Sequence, residues 1–485
     1  MRAQHTVSWW RVTRNIFSLF MRELLNKGTY LILGIGIARV MGREAFGDYT
    51  LSLLLSRSFF TLGDLGFGTW LVREVSKSRE RAGRYFGTVG VYRLISGVLV
   101  VFLLGGFLFL SRYEVSLRRH VLLSAVAFFF LHLTSFVFSF FRAFEKMENE
   151  FKTGIVKNIL FLGGGLWAIS RYSLDFFYVL FILSSAVAFL VSVVLYWRHI
   201  GWKGLRWEPM PLEGLFSIWM IQGIVMLYLY VDTVLLSFFR GLSEVGLYQA
   251  AYSFLEVIFV LSTVLATSLF PVFARLSKLS PHELPSFYEE TFRAVLFFCV
   301  PFGVLSLFGA KTLLGIFYGP SFQGALPALY ILLSGFVFFI VGGLNSHLLV
   351  AMGSEKVVLG ILVGSTLFNG ALNLWAIPRF GFLGASATTL VSEIVMFSLM
   401  VFWIAKTLGD VSFLQGGPFM GVVCLWVLFL LGLGRFSFWI QLPVGLGVYV
   451  LFVALFHRQL SKELCAVKIL WKEFQEGIRP STQAF

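Results

Sequence analysis

Long apolar runs recur along the whole chain, separated by short polar segments. VGVYRLISGVLV and VLVVFLLGGFLFL are examples, together covering residues 89–110. Such runs face lipid or other lipid-embedded helices. They do not show the ten-residue apolar–polar alternation of a membrane β-barrel, so helices are the expected spanning element. About fourteen segments reach spanning length. They fall near 15–40, 46–68, 86–110, 120–141, 153–170, 175–197, 215–239, 245–270, 288–309, 323–351, 357–377, 383–406, 415–434 and 438–457. Connections are short, so no large soluble domain is expected between them. The expected fold is an all-α polytopic membrane protein.

The pattern repeats. GREAFGDY at 42–49 and GLSEVGLY at 241–248 share G-x-x-x-x-G-x-Y, and all three matched pairs lie 199 positions apart. Each copy follows one apolar segment and precedes another. The glycines suit a tight turn or a close helix approach. A duplication then divides the chain into an N-lobe of helices 1–6 (residues 1–200) and a C-lobe of helices 7–12 (201–410). Helices 13–14 (411–457) are an addition, and a basic amphipathic tail (458–485) is expected at the cytoplasmic surface. Transporters are often built from two such lobes.

Composition agrees: 58% of the 485 residues are hydrophobic and 13% charged, and mean hydropathy is +0.84. The net charge of +14 would suggest nucleic acid in a soluble protein. Here the positive-inside bias of cytoplasmic loops accounts for it, and no nucleic-acid partner is expected. With the N-terminus inside, TWLVREVSKSRERAGRYFG, RAFEKMENEFK, RHIGWKGLRW, FARLSK and the tail all fall inside. Inside segments then carry roughly 23 Lys and Arg, against roughly 10 outside. Both termini are therefore expected in the cytoplasm. The N-terminal Arg2, Arg11 and Arg14 precede no small-residue cleavage site, as in a retained signal-anchor. Cys299, Cys424 and Cys465 are far apart, which excludes a disulfide framework or zinc spacing.

Charges inside spans are costly and mark a bundle interior or a wet passage. MRELLNKGTY at 21–30 places Arg22, Glu23 and Lys27 in the first span. Glu23 and Lys27 are four apart, and Arg22, Asn26 and Tyr30 form an adjacent stripe. Two readings stand, a passage lining or snorkelling of the long cations to the interface. Arg57, Thr61 and Asp64 share a face of the second span, with Arg57 near mid-membrane where snorkelling is hardest. The 199-residue offset takes Arg57 to Glu256, placing opposite charges at matching sites of the two copies. Arg93 and Arg293 lie near the inner ends of helices three and nine, passage-lining or snorkelling, and Lys157 reads as a snorkeller. Asp232 in YVDTVLL and Glu393 beside Thr389 and Ser392 are candidates for coupling Na⁺ or H⁺, or for a structural hydrogen bond. The stripes His132–Ser135–Ser139–Arg142 and Ser365–Asn369–Asn373, with Asn345, read as glue between helices.

ARVMGREAFGDYTLSLLL and GDLGFGTWLVRE resemble the N-terminal signature of the polysaccharide-transport (Wzx-type) oligosaccharide flippases. VDTVLLSFFRGLSEVGLYQAAYSFLEVI, FPVFARL, ALPALYILLSG, LNSHLLVAMGSEK and IPRFGFLGASATTLVSE resemble its later landmarks in order, covering residues 15–410. The resemblance implies the fold of the multidrug/oligosaccharidyl-lipid/polysaccharide exporter superfamily, two six-helix bundles in a V around a central cavity. It also implies translocation of a polyprenyl-diphosphate-linked glycan across the cytoplasmic (inner) membrane. A diphosphate in a low-dielectric passage needs cationic partners, and arginine forks match phosphate oxygens. The excess of Arg22, Lys27, Arg57, Arg93 and Arg293 over nearby carboxylates suits that cargo. No cofactor is expected beyond a coupling Na⁺ or H⁺, and a glycan polymerase or ligase is a candidate partner besides the surrounding lipids. Two alternatives are weaker. A multidrug antiporter for organic cations would show the reverse charge balance. A membrane polymerase or ligase would carry a large catalytic outer loop. The absence of a P-loop argues against ATP hydrolysis.

Overall fold

The computed structural model describes residues 9–201, 215–409, 417–432 and 438–455. The basic tail expected over 458–485, with Cys465, and the first eight residues lie outside the described residues. Among the described residues there are helices and no strands: α1 (Trp9–Gly63), α2 (Phe67–Lys77), α3 (Ala82–Leu110), α4 (Val115–Ala143), α5 (Glu148–Ser170), α6 (Leu174–His199) and α7 (Leu215–Phe239). The second half continues with α8 (Leu242–Leu279), α9 (Leu284–Tyr318), α10 (Leu326–Ser334), α11 (Phe336–Ala351), α12 (Glu355–Leu408), α13 (Gly417–Gly432) and α14 (Phe438–Leu455).

Each expected span but 323–351 falls on a helix or on one limb of a broken helix. Helix α1 breaks at Gly42, whose φ of 87° is left-handed and open to glycine. Its limbs, 9–41 and 43–63, are the first two expected spans. Helix α12 breaks at Gly381 (φ 58°), three residues after Pro378, which cannot donate to the helical ladder. Helices α10 and α11 meet at a 43° bend and make one expected span between them. Nine helices among the described residues are long and apolar enough to cross a membrane, or ten with that bent pair. Helix α1 is not one of them: Arg22, Glu23 and Lys27 stand in its first limb, Asp48 and Arg57 in its second. The outer faces are strongly apolar, as lipid requires, with Phe102, Phe109 and Leu110 of α3 at 73%, 81% and 84% exposure.

The chain forms two compact units divided between Gly246 and Leu247. The sequence repeat leads one to expect a division at 200. The compact units divide it later because α7 packs on the first unit. There Trp219 Nε1 donates to Leu62 O at 2.8 Å, and the Tyr113 and Ser237 hydroxyls lie 2.6 Å apart. The first unit also holds the short amphipathic α2. Its Phe67, Trp70, Leu71 and Val75 are buried against Phe136, Phe140 and Phe141 of α4. In the second unit α13 and α14 close on α9. The Trp426 indole donates to Gly445 O at 2.7 Å and the Tyr449 hydroxyl to Phe297 O at 2.9 Å.

The first glycines of the two G-x-x-x-x-G-x-Y copies share a left-handed φ. Gly241 has a φ of 84° against 87° for Gly42. Five residues on, Gly47 and Gly246 meet within the first unit. A Cβ on Gly47 would stand 2.0 Å from Leu242 O, and one on Gly246 would stand 2.0 Å from Arg43 O. Arg43 and Leu242 are themselves 199 apart, so each copy presses its glycine on the carbonyl that matches its own. Close approach is the role that Gly serves at a helix crossing.

Candidate functional site

In the first unit a charged cluster joins the first limb of α1 to α4 and α5. Glu150, fully buried near the start of α5, pairs with Arg22 of α1. It also accepts from Arg142 of α4, through Nε at 2.9 Å and Nη2 at 3.1 Å, a two-point fork. Arg22 pairs in addition with Glu23 and lies 5.4 Å from the centre of the Phe138 ring. Gly154 of α5 clears the path for its stem: a Cβ there would come within 3.0 Å of Arg22 Cγ. One helical turn further along α5, Lys157 is 6% exposed. Its ammonium donates to Asn26 Oδ1 at 2.6 Å and sits 4.9 Å from the centre of the Tyr30 ring. Arg57, on the second limb of α1, is exposed and within electrostatic reach of Tyr30.

Among the described residues, the ion-pair partners of Arg22, Arg142 and Lys157 are Glu23 and Glu150, and the cluster keeps surplus positive charge. Exposed Arg57, within electrostatic reach of Tyr30, adds to it, and Lys27 is exposed on the same limb as Arg22. In a low-dielectric setting such a surplus attracts an anion, and guanidinium forks suit phosphate oxygens. Sequence reasoning found Arg22, Glu23, Lys27, Asn26 and Tyr30 here. It missed Glu150 and took Lys157 for a snorkeller, whereas the glue reading of Arg142 agrees with its fork from α4 to Glu150 of α5. The available signal was the spacing on α5: Glu150, Gly154 and Lys157 stand at i, i+4 and i+7, one helical face.

The remaining candidates lie elsewhere. Arg93 is 0% exposed and pairs with Asp64. Its Nη1 stands 3.1 Å from His132 Nδ1, and Ser96 Oγ stands 3.3 Å from His132 Nε2. Asp64 Oδ2 also accepts from Gly68 N at 3.2 Å, tying the start of α2 to the same knot. Arg93 is thus locked inside the first unit among α1, α3 and α4, neither snorkelling nor open to solvent. The expected Arg57–Thr61–Asp64 face splits. Arg57 is exposed, the Thr61 hydroxyl donates to Arg57 O at 2.8 Å, and Asp64 turns to Arg93. Arg293 pairs with Glu289 one turn away on α9, at 3.0 Å. Glu256 is exposed on α8. Asp232 is 3% exposed, and its Oδ1 accepts from Thr233 N at 2.6 Å and Thr233 Oγ1 at 3.2 Å. Glu393 is 2% exposed on α12, close enough to α11 that a Cβ on Gly342 would lie 3.0 Å from its Oε1.

The glue reading suits the other polar stripes. Asn373 donates to Asn369 Oδ1 at 2.8 Å, Asn369 to Ser392 Oγ at 3.1 Å, and Tyr288 to Asn345 Oδ1 at 2.7 Å.

Helices broken at glycines and charged clusters inside apolar bundles define a polytopic transporter-type membrane fold, and solved structures share it. The lipid II flippase MurJ, in an inward closed conformation, is similar at a TM-score of 0.72 and 17% identity, over 92% of this chain and 99% of that one. A multidrug resistance MATE family transporter of the MOP superfamily, inward-facing, is similar at 0.62 and 15%, over 81% and 98%. At these identities the likeness is one of fold. The chain belongs to the family described as polysaccharide biosynthesis protein, whose sequence model matches residues 12–277. A putative O-antigen transporter of Shigella flexneri is 23% identical over 76% of this chain and 91% of its own length. A probable low-salt glycan biosynthesis flippase of Haloferax volcanii is 20% identical over 79% and 81%. An uncharacterized membrane protein of Methanocaldococcus jannaschii is 25% identical, and there the match spans only 37% of this chain and 36% of the relative.

Proposed function

We propose that this protein flips a polyprenyl-diphosphate-linked oligosaccharide across the cytoplasmic membrane, by alternating access, for synthesis of cell-surface polysaccharide. The observation that carries the reading is the surplus of cations at the α1–α4–α5 cluster, with Lys157 held almost out of solvent within electrostatic reach of Arg22. A buried ammonium whose direct partners, Asn26 and the Tyr30 ring, are both neutral is expensive. A diphosphate head group would supply the missing negative charge, while its polyprenyl tail stays in the bilayer. Family membership and the O-antigen transporter and glycan flippase relatives support the same cargo. The proposed orientation has both termini in the cytoplasm, where Lys and Arg concentrate. The protein acts as a carrier and not as an enzyme. A glycan polymerase or ligase would take up the delivered glycan.

The test is flipping of a polyprenyl-diphosphate oligosaccharide in proteoliposomes. Arg57→Ala is expected to lower the rate at least about tenfold, since an exposed cation beside the cluster attracts the head group without holding the fold. A folded Arg57→Ala protein that flips at the wild-type rate removes Arg57 from the path. The same assay bears on coupling. Asp232 is buried on a spanning helix, a costly place for a carboxylate without a role. Asp232→Asn is expected to abolish the response of flipping to an imposed Na⁺ or H⁺ gradient. An unchanged gradient response shifts the coupling role to Glu393 or away from both.

A further inference from the structure

A second titratable cluster lies at the opposite end of the first unit's helices and takes no part in the proposed cargo path. His120, in the second turn of α4, stands between two carboxylates. Its Nδ1 lies 2.8 Å from Asp48 Oδ2 on the second limb of α1, and its Nε2 lies 3.2 Å from Asp175 Oδ1 on α6. Asp48 is 5% and His120 7% exposed, whereas the Asp175 side chain is 47% exposed. Asp48 Oδ1 accepts weakly from Ser52 Oγ at 3.3 Å and from the Tyr178 hydroxyl at 3.4 Å. The Tyr49 ring packs edge-on against Phe177, the neighbour of Tyr178, at 5.5 Å. Asp175 Oδ2 pairs with Arg119 at 2.9 Å. The neighbouring cations are engaged elsewhere: Arg118 donates to Ser111 O at 2.7 Å, and Arg171, just after α5, lies over Trp167.

One detail fixes the protonation chemistry. Asp175 Oδ1 is enclosed and has no hydrogen-bond partner. A neutral imidazole donates from one nitrogen only. If Nδ1–H serves Asp48, the Nε2 lone pair faces the Asp175 oxygen, and two acceptors confront each other. The imidazolium keeps its Nδ1–H on Asp48 and sets a positive charge between the two carboxylates, 2.8 Å from Asp48 Oδ2 and 3.2 Å from Asp175 Oδ1. The half-exposed Asp175 gives that proton a way in from solvent.

We propose that Asp48, His120 and Asp175 form a proton-binding site, loaded through Asp175, that fastens the second limb of α1 and α6 to α4 when occupied. By the Lys and Arg distribution this end faces the extracytoplasmic side, so the site reads external pH. Its position gives it leverage. Asp48 follows directly after Gly47, the residue pressed on Leu242 O at the helix crossing. The device belongs to the first copy alone: the residue 199 positions after Asp48 is Leu247.

The test needs no cargo, so its failure is separate from failure of the flippase reading. Hydrogen exchange of the protein in lipid nanodiscs is measured at about pH 5.5 and pH 8, the range in which histidine changes charge. Rates are normalised to unstructured peptide at the same pH. In wild type, amides of residues 174–185 of α6 and of residues 43–56 should exchange about tenfold more slowly at the lower pH, the worth of one charge-assisted interaction. His120→Gln, which donates but does not titrate, should exchange alike at both. Asp175→Asn, at a half-exposed position where folding is safe, should cut the response to less than half. A wild-type response that is absent, or that survives undiminished in either variant, overturns the proposal.

Discussion

Gly47→Ala should destabilise the protein by about 2–3 kcal/mol, the cost of overpacking a close helix contact. One methyl group is enough because of what it would meet. The Cβ would stand 2.0 Å from Leu242 O and 2.9 Å from Leu242 C, both backbone atoms that no side-chain rotation can move. The second limb of α1 and the first turns of α8 would have to part. Gly246→Ala should behave the same way, because it meets Arg43 O at the same distance. The double variant should cost clearly less than the sum, since helices parted for one methyl have room for the other. Gly105→Ala and Gly106→Ala on α3 are the controls: a Cβ at either site meets nothing within 4 Å. Thermal unfolding in nanodiscs reads all five proteins. Additive penalties, or an unaffected Gly47→Ala, would contradict the close crossing.

Glu150→Gln should cost about 3 kcal/mol or more, the lower range for breaking a buried ion pair by removing one partner. The amide keeps the volume of the carboxylate but not its charge. Arg142 then loses its fork, and Arg22 keeps only Glu23, which is half exposed. The cluster would hold three cations against one carboxylate. Arg142→Met in the same background should restore part of the loss by removing the stranded charge, a recovery that a merely mispacked Gln would not show. Unfolding temperature is again the readout. Equal stability of Glu150→Gln and wild type would mean that Glu150 does not balance the cluster.

Much of this architecture can be read from sequence, because lipid imposes simple rules. A span must be apolar and about twenty residues long, so the runs locate the helices. The break at Gly42 is legible because GREAFGDY interrupts an apolar run with charge. Its counterpart at Gly241 follows from the shared spacing. What sequence hides is which helix face meets which. Periodicity put Arg57, Thr61 and Asp64 on one face. The partner of Asp64, Arg93, lies on another helix, and only packing brings them together. Lys157 shows the same limit. Its distance from the helix end suits snorkelling, yet Asn26 and the Tyr30 ring, more than a hundred residues earlier, hold it inside. Glu150 went unnoticed because an acidic residue in the first turn of a helix is ordinary there. Its two arginine partners come from α1 and α4. The triad at His120 was missed for the same reason, being assembled from α1, α4 and α6.

The most direct test of the account is the flipping assay on the wild-type protein. A polyprenyl-diphosphate oligosaccharide and a cationic dye are offered to the same proteoliposomes, with and without imposed Na⁺ and H⁺ gradients. A surplus of buried cations predicts that the anionic lipid crosses and the dye does not. Dye transport on a gradient, with no movement of the lipid under any condition, would contradict the account and make the protein a multidrug antiporter on the same fold.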